Sequence, residues 1–222
     1  MKNIYKNSFY NLNKAKRILE KNQILALPTE TVYGLAGNAY SHKSVKRIYS
    51  LKKRPQKNPL IIHYYNLDLL KKDAEYDKNF LKLYKKFSPG PLTYILKKKE
   101  KSKVSKFANA KLKTIAVRFP KNKIIRSLLK KLNFPLAIPS ANISTGVSPT
   151  EPLDVVDEFK NKIKFILNGG KSLIGLESTV INLSSKPAIL RPGSISHTQI
   201  EKVLRKKVSN VTKSKFVISP GM

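Results

Sequence analysis

Residues 24–39 read ILALPTETVYGLAGNA, and their pattern decides the fold class. Ile24, Leu25, Ala26 and Leu27 form a short apolar run that Pro28 stops, which predicts a strand. Residues 31–39 continue as extended chain with Gly34 and Gly37 inside it. Working outward, Leu12, Ala15, Ile18 and Leu19 recur at helical spacing before this stretch. Val45, Ile48, Tyr49 and Leu51 do the same after it. Extended chain between two amphipathic helices is the start of an α/β arrangement.

The alternation continues to the end of the chain. Apolar runs predict strands at 60–64, 92–96, 115–119, 136–138, 165–167, 180–183 and 188–191. Phe80, Leu81, Tyr84 and Phe87 mark a helix with Asp77 as N-cap, ended by Pro89-Gly90-Pro91. Ile124, Ile125, Leu128 and Leu129 mark another, and Pro152, Val155, Val156 and Phe159 a third. Ser196 and Gln199 have capping-box spacing, so a last helix starts there with His197 exposed in its first turn. The Lys-rich residues 97–106 read as a loop. No repeat or composition break divides the chain. The expectation is a single α/β domain, a twisted mixed β-sheet flanked by helices, over residues 8–207, with 208–222 a tail.

Composition narrows the function classes. In 222 residues, 41% are hydrophobic, enough for a sizeable core, and no run approaches a membrane span. The N-terminus lacks the apolar segment of a secretory signal, and there is no cysteine, so the expected compartment is the cytoplasm. The formal charge of +32 has two readings. One is contact with nucleic acid or nucleotide phosphates. The other is an AT-rich codon bias spread over solvated faces, since 38 of the 45 basic residues are Lys. The three histidines, His42, His63 and His197, have no metal-ligand spacing, and there is no nucleophile elbow or Walker A loop. Magnesium brought in on a nucleotide needs few protein ligands and stays open.

Five polar loops follow predicted strands or helices: 28–34, 52–60, 140–150, 175–179 and 191–193. They offer hydroxyls, amides, Lys and Arg with few carboxylates, which suits an anionic ligand at the strand ends of an α/β sheet. Taken singly, each also reads as an ordinary turn or cap.

Eight motifs give these loops a family resemblance. They are PTETVYGL from Pro28, KxRPxxxPLxxH from Lys52, PGPLT from Pro89 and AVRFP from Ala116, followed by PSAN from Pro139, SPT from Ser148, GLESTV from Gly175 and LRPG from Leu190. In that order the chain resembles the YrdC-like family of threonylcarbamoyl-AMP synthases over about residues 10–205. The resemblance implies a reaction of L-threonine, bicarbonate or CO2, and ATP with its Mg2+, giving threonylcarbamoyl-AMP and pyrophosphate. The product would serve tRNA modification next to the anticodon through a downstream transferase. A basic surface would suit tRNA or other double-stranded RNA, and no membrane is implied.

Carried over by motif, Thr31, His63, Arg118 and Ser178 would hold threonine. Arg54, Asn58, Thr114, Ser140, Ser148 and Arg191 would hold ATP, with Lys52 also facing phosphates. Glu30 and Glu177 would orient neighbours or a nucleotide-borne Mg2+, or simply cap turns. Two departures stand out: Thr145 where the family usually has Gly, and Asn168 where an acidic residue often precedes the paired glycines. Residues 219–222, SPGM, resemble the opening of the linker in two-domain members. The resemblance thus predicts that residues 213–222 order partly with ligand. Two rival readings are a non-catalytic RNA-binding module of the same fold and a carbamoyl-adenylate domain of the hydrogenase-maturation type.

Overall fold

A computed structural model of the chain describes residues 3–210. The expected ordering of residues 213–222 lies outside the described residues. In chain order the strands are β1 (Ile4–Lys6), β2 (Leu25–Pro28), β3 (Tyr33–Asn38), β4 (Ile61–His63), β5 (Ala74–Glu75) and β6 (Leu92–Lys98), then β7 (Thr114–Arg118), β8 (Leu136–Ala137), β9 (Ile166–Asn168), β10 (Thr179–Asn182), β11 (Ala188–Arg191) and β12 (Ser209–Asn210). The helices are α1 (Phe9–Glu20), α2 (His42–Lys52), α3 (Leu67–Leu70), α4 (Lys78–Phe87), α5 (Lys123–Lys130), α6 (Pro152–Phe159) and α7 (His197–Leu204).

Among the described residues the strands join one mixed sheet ordered β1-β9-β2-β3-β8-β4-β7-β6-β10-β11-β12, with β5 on β6. β2 and β3 pair antiparallel around the PTET turn, while β4 and β7, and β6 and β10, run parallel. The single α/β domain is therefore the observed fold. β1 and β12 carry the sheet past both bounds expected for the domain.

Strand periodicity assigns the helices to faces. Ala26, Leu35 and Ile62 point into one cluster with Val45 and Ile48 of α2, Phe80 of α4, Val155 of α6 and Ile200 of α7. Leu25, Leu27 and Ala36 point the other way, onto Ala15 and Leu19 of α1 and Ile125, Leu128 and Leu129 of α5. A third cluster, Ile61, Ile95, Ala116, Val180, Ala188 and Leu190, contains strand residues only. It marks a stretch of sheet face whose apolar layer draws on no helix. Two residues further along the same strands, on that same face, stand His63, Thr93 and Arg118. Two residues before Val180 stands Ser178. The alternation that builds the core thus lines up polar side chains at one end of the sheet.

Two expectations are corrected. β6 continues to Lys98, so the Lys-rich stretch begins as a strand paired with β5 and β7. Lysine stems lie along a strand while their ammonium groups stay in water, so charge alone does not break pairing. His197 is half-buried, its Nε2 2.6 Å from the Val208 carbonyl.

Tyr33 anchors the segment that will cover the polar end of the sheet. Its buried hydroxyl donates to the Gly170 carbonyl at 2.7 Å and accepts from the Gly169 N–H at 3.1 Å. From there the chain runs back over the PTET turn, with Ile174 and Gly175 N–H groups on the Glu30 and Thr31 carbonyls, each at 3.0 Å. Tyr33→Phe is expected to lower unfolding stability by about 1–2 kcal/mol in urea titration. It should also raise hydrogen exchange at Ile174 and Gly175.

Candidate active site

The polar end of this sheet face opens into a cavity of about 500 Å³. That is within the range of roughly 300–1,000 Å³ usual for small-molecule sites. One wall is the PTET turn. Thr29 Oγ1 accepts the N–H groups of Thr31 and Val32 and donates to the Val32 carbonyl, which shapes a tight, buried turn. This turn holds Thr31 in place, and Thr31 Oγ1 accepts from Arg118 at 2.9 Å.

Arg118 ends β7 and is buried with Glu30. Its Nη2 reaches Glu30 Oε1 at 2.8 Å. Glu30 Oε2 accepts the backbone N–H groups of Lys121 and Asn122 at 3.0 and 3.3 Å, just ahead of α5. Burial alone would raise the Glu30 carboxyl, but the Arg118 charge and these hydrogen bonds outweigh it and hold it below its ordinary value. One carboxylate thus holds Arg118 with one oxygen and the turn ahead of α5 with the other. Arg118 Nε remains buried with no protein partner.

His63 ends β4, paired with Arg118 in register. Its Nδ1 faces the Ile61 carbonyl at 3.3 Å, so that nitrogen carries the hydrogen and Nε2 presents a lone pair. Nε2 is buried without a protein partner. Burial first, then the Arg118 charge, push the imidazole down to about 3, so it is neutral at physiological pH.

A second arginine–glutamate pair lines the same cavity. Arg191 Nη1 pairs with Glu177 Oε2, while Nε and Nη2 donate to the Ser178 carbonyl at 3.1 and 2.9 Å. Glu177 Oε1 also accepts from Ser148 Oγ at 3.1 Å. Burial opposes its ionisation, but Arg191 and the hydroxyls of Ser140 and Ser148 prevail and hold its carboxyl below the ordinary value. Ser178 Oγ shares a 2.7 Å hydrogen bond with Thr93 Oγ1. Gly193 allows this closeness: a Cβ there would lie 2.4 Å from the Thr179 nitrogen and 2.7 Å from the Glu177 carbonyl oxygen.

The basic loop after α2 supplies the remaining wall. Arg54 Nε and Nη2 donate to the Asn58 carbonyl and Oδ1, and Nη2 reaches the Pro59 carbonyl at 2.9 Å. Lys52 is buried, and its ammonium turns to the 140–146 loop. Of the thirteen sequence-derived site residues, eleven line the cavity, Lys52 among them, and two, Glu30 and Thr114, do not. Glu30 sits behind Arg118. Thr114 shares the sheet face with Arg118 but lies at the far end of β7, four residues or about 13 Å along the strand. Cavity residues that the sequence reading did not assign include Thr29, Asn142 and Ser144, all within or beside quoted motifs. No group of three His, Cys, Asp or Glu side chains that could hold a metal ion occurs among the described residues. No helix there is long and apolar enough to cross a membrane.

Comparison with known proteins follows the same residues. Residues 17–193 match the family of Sua5, YciO and YrdC, described as "Telomere recombination". Threonylcarbamoyl-AMP synthase of Pyrococcus abyssi is 43% identical over 194 residues, 86% of this chain and 56% of that protein. The Bacillus subtilis protein of the same name is 39% identical over 219 residues, 94% of this chain and 62% of that protein. The structure of P. abyssi Sua5 complexed with L-threonine matches with a TM-score of 0.92 and 38% identity, over 99% of this chain and 66% of that one. The chain thus spans less than two thirds of the length of these two curated relatives. By the extent of the family match and the identity to both synthases, the chain belongs to the Sua5/YciO/YrdC family.

Proposed function

We propose that the chain carries the catalytic domain of an L-threonylcarbamoyladenylate synthase, a nucleotidyltransferase acting in the cytoplasm. The observation that carries this reading is that His63 and Arg118, each with a buried nitrogen that has no protein partner, line one cavity with Arg54, Arg191 and serine hydroxyls. A lone-pair acceptor beside a guanidinium suits a small molecule with a carboxylate and a hydroxyl. The remaining arginines and serines suit a phosphate chain. A related structure complexed with L-threonine supports the first assignment.

In this reading Arg118 holds the threonine carboxylate, His63 accepts the threonine hydroxyl, and Thr31 and Ser178 close the subsite. Arg54, Asn58, Ser140, Ser148 and Arg191 hold ATP. Thr114 meets it further along the sheet face. Mg2+ would come with the phosphates and neutralise their charge, and Glu177, a carboxylate that lines the cavity, would be the residue to meet it. The threonine amino group adds to CO2 and gives up a proton, or displaces water from bicarbonate, to form a carbamate. A carbamate oxygen attacks the α-phosphorus, the bond to the β-phosphate oxygen breaks, and pyrophosphate leaves. The carbamate is itself a nucleophile, so positioning and charge stabilisation supply most of the rate. The product then goes to a tRNA-modifying transferase, with the basic surface available to RNA.

Pyrophosphate release from ATP should require threonine and bicarbonate. Serine, lacking one buried methyl, should support it on the order of fivefold less well, from about 1 kcal/mol. Equal release with glycine, serine and threonine would refute the amino-acid assignment.

Arg118→Lys keeps the charge beside Glu30 but loses the guanidinium fork. It should cut kcat/KM for threonine by roughly 30-fold or more. Lys101→Ala, at an exposed residue, should leave activity unchanged. Similar activities for the two variants would contradict the role given to Arg118.

His63 provides a pH signature. Its folded pKa of about 3 lies below the ordinary 6.5, so the unfolded chain binds the extra proton. The stability that neutral His63 confers is full above 6.5 and is lost progressively as pH falls toward 3. Thermal melts of His63→Gln should therefore show a smaller loss of Tm than the parent protein between about pH 7 and 4. Threonine affinity should show no inflection near the ordinary histidine value.

A further inference from the structure

Ser144 lines the cavity, and its hydroxyl oxygen is one more buried polar atom without a protein partner. Ser144 lies on the 140–146 loop, and two side chains from different helices fix that loop. Lys52, the last residue of α2, directs its ammonium at the carbonyl oxygens of Ser140, 2.6 Å away, and Asn142, and at Asn142 Oδ1, 3.4 Å away. Its own carbonyl accepts the Ser144 N–H at 2.8 Å. Glu158, in α6, accepts the Ile143 N–H at 2.6 Å. The peptide between Asn142 and Ile143 is therefore gripped on both edges, its carbonyl by Lys52 and its N–H by Glu158.

An ammonium has three hydrogens, and three acceptors surround this one. None is left over for a phosphate. The amine is also deeply buried against Arg54, with Glu177 and Glu158 the opposing charges, and burial lowers it to about 7. Its position is that of a strap on the loop. The loop needs holding, because Thr145 follows at φ +77°, a conformation β-branched residues rarely adopt. Asn142 Nδ2 closes the turn onto the carbonyls of Ile143 and Gly146 at 2.8 and 2.6 Å.

We infer that Lys52 and Glu158 are positioning residues that clamp the Asn142–Ile143 peptide, and that the clamp presents the Ser144 hydroxyl to a phosphate of the bound nucleotide. This rests on the nucleotide site proposed above. Ser144 is the ligand contact, and Lys52 acts on the nucleotide only through the loop.

The test is titration calorimetry with ATP and, separately, L-threonine, supported by steady-state kinetics. Ser144→Ala should weaken ATP binding about tenfold and raise KM for ATP, with threonine affinity and Tm unchanged. Glu158→Ala and Lys52→Met, which retains the buried stem, should each weaken ATP binding about tenfold. Their combination should be no worse than the poorer single variant, because both act on one peptide. Glu158→Gln, which keeps an acceptor, should restore affinity to within about threefold. Should Lys52→Met lose its fold, Ser144→Ala and the two Glu158 variants carry the test.

Wild-type ATP affinity in Ser144→Ala would overturn the inference. So would an unaffected Glu158→Ala beside a weakened Lys52→Met, which would make Lys52 a direct phosphate ligand. Parent protein that binds threonine but no ATP would instead refute the nucleotide site itself, and the inference with it.

Discussion

The site depends on one buried ion pair, Arg118 with Glu30. Taking both charges out of water costs several kcal/mol per ion unless geometry and further hydrogen bonds repay it. Here they do: Thr31 Oγ1 takes a second contact from the guanidinium, and two backbone N–H groups ahead of α5 complete the carboxylate. The pair joins the PTET turn, the end of β7 and the entry to α5 at one point. It also divides the guanidinium. Nη2 is committed to structure, while the buried Nε has no protein partner. An anion binding there meets a charge already fixed in place, which avoids the cost of ordering it during binding.

Arg191 and Glu177 repeat the arrangement further along the same sheet. Together the cavity brings Lys52, Arg54, Arg118 and Arg191 against Glu177 in its wall and Glu30 behind it. Four cations against two carboxylates make a modest local excess, although the whole chain carries +32. The global charge can steer an anion toward the molecule. Recognition inside depends on directed donors in a buried space, where each is worth more than at the surface.

The longer strands and helices were legible in sequence because each carries its own apolar period. Short β4, β8 and β9 were legible too, from their apolar runs, but other short elements were not. β1 with three residues, and β5 and β12 with two each, are defined by partners distant in sequence and have no local pattern. The motif residues are gathered in space because β4, β7 and β10 bring their ends to one edge. What sequence could not supply was the direction of a side chain. Lys52 sits in a basic motif and reads as a phosphate ligand, yet the turn at the end of α2 aims it into carbonyl oxygens. Glu158 lies on the polar side of a helical stripe, and nothing local distinguishes it from a solvated glutamate.

One signal in the composition does point to the site. The chain uses Lys at 38 of its 45 basic positions and Arg at only 7, yet Arg54, Arg118 and Arg191 all line the cavity. Arg54 and Arg191 donate through more than one nitrogen, and Arg118 keeps a second nitrogen buried and unpartnered. Arg54 donates through Nε and Nη2, Arg118 through Nη2 to two different acceptors, and Arg191 through three nitrogens. A planar fork makes several contacts in fixed directions, whereas an ammonium places one mobile charge. In a chain this rich in lysine, a charged patch alone says little about where a ligand binds. An arginine beside a polar strand-end motif says more, because there geometry and not charge alone is required.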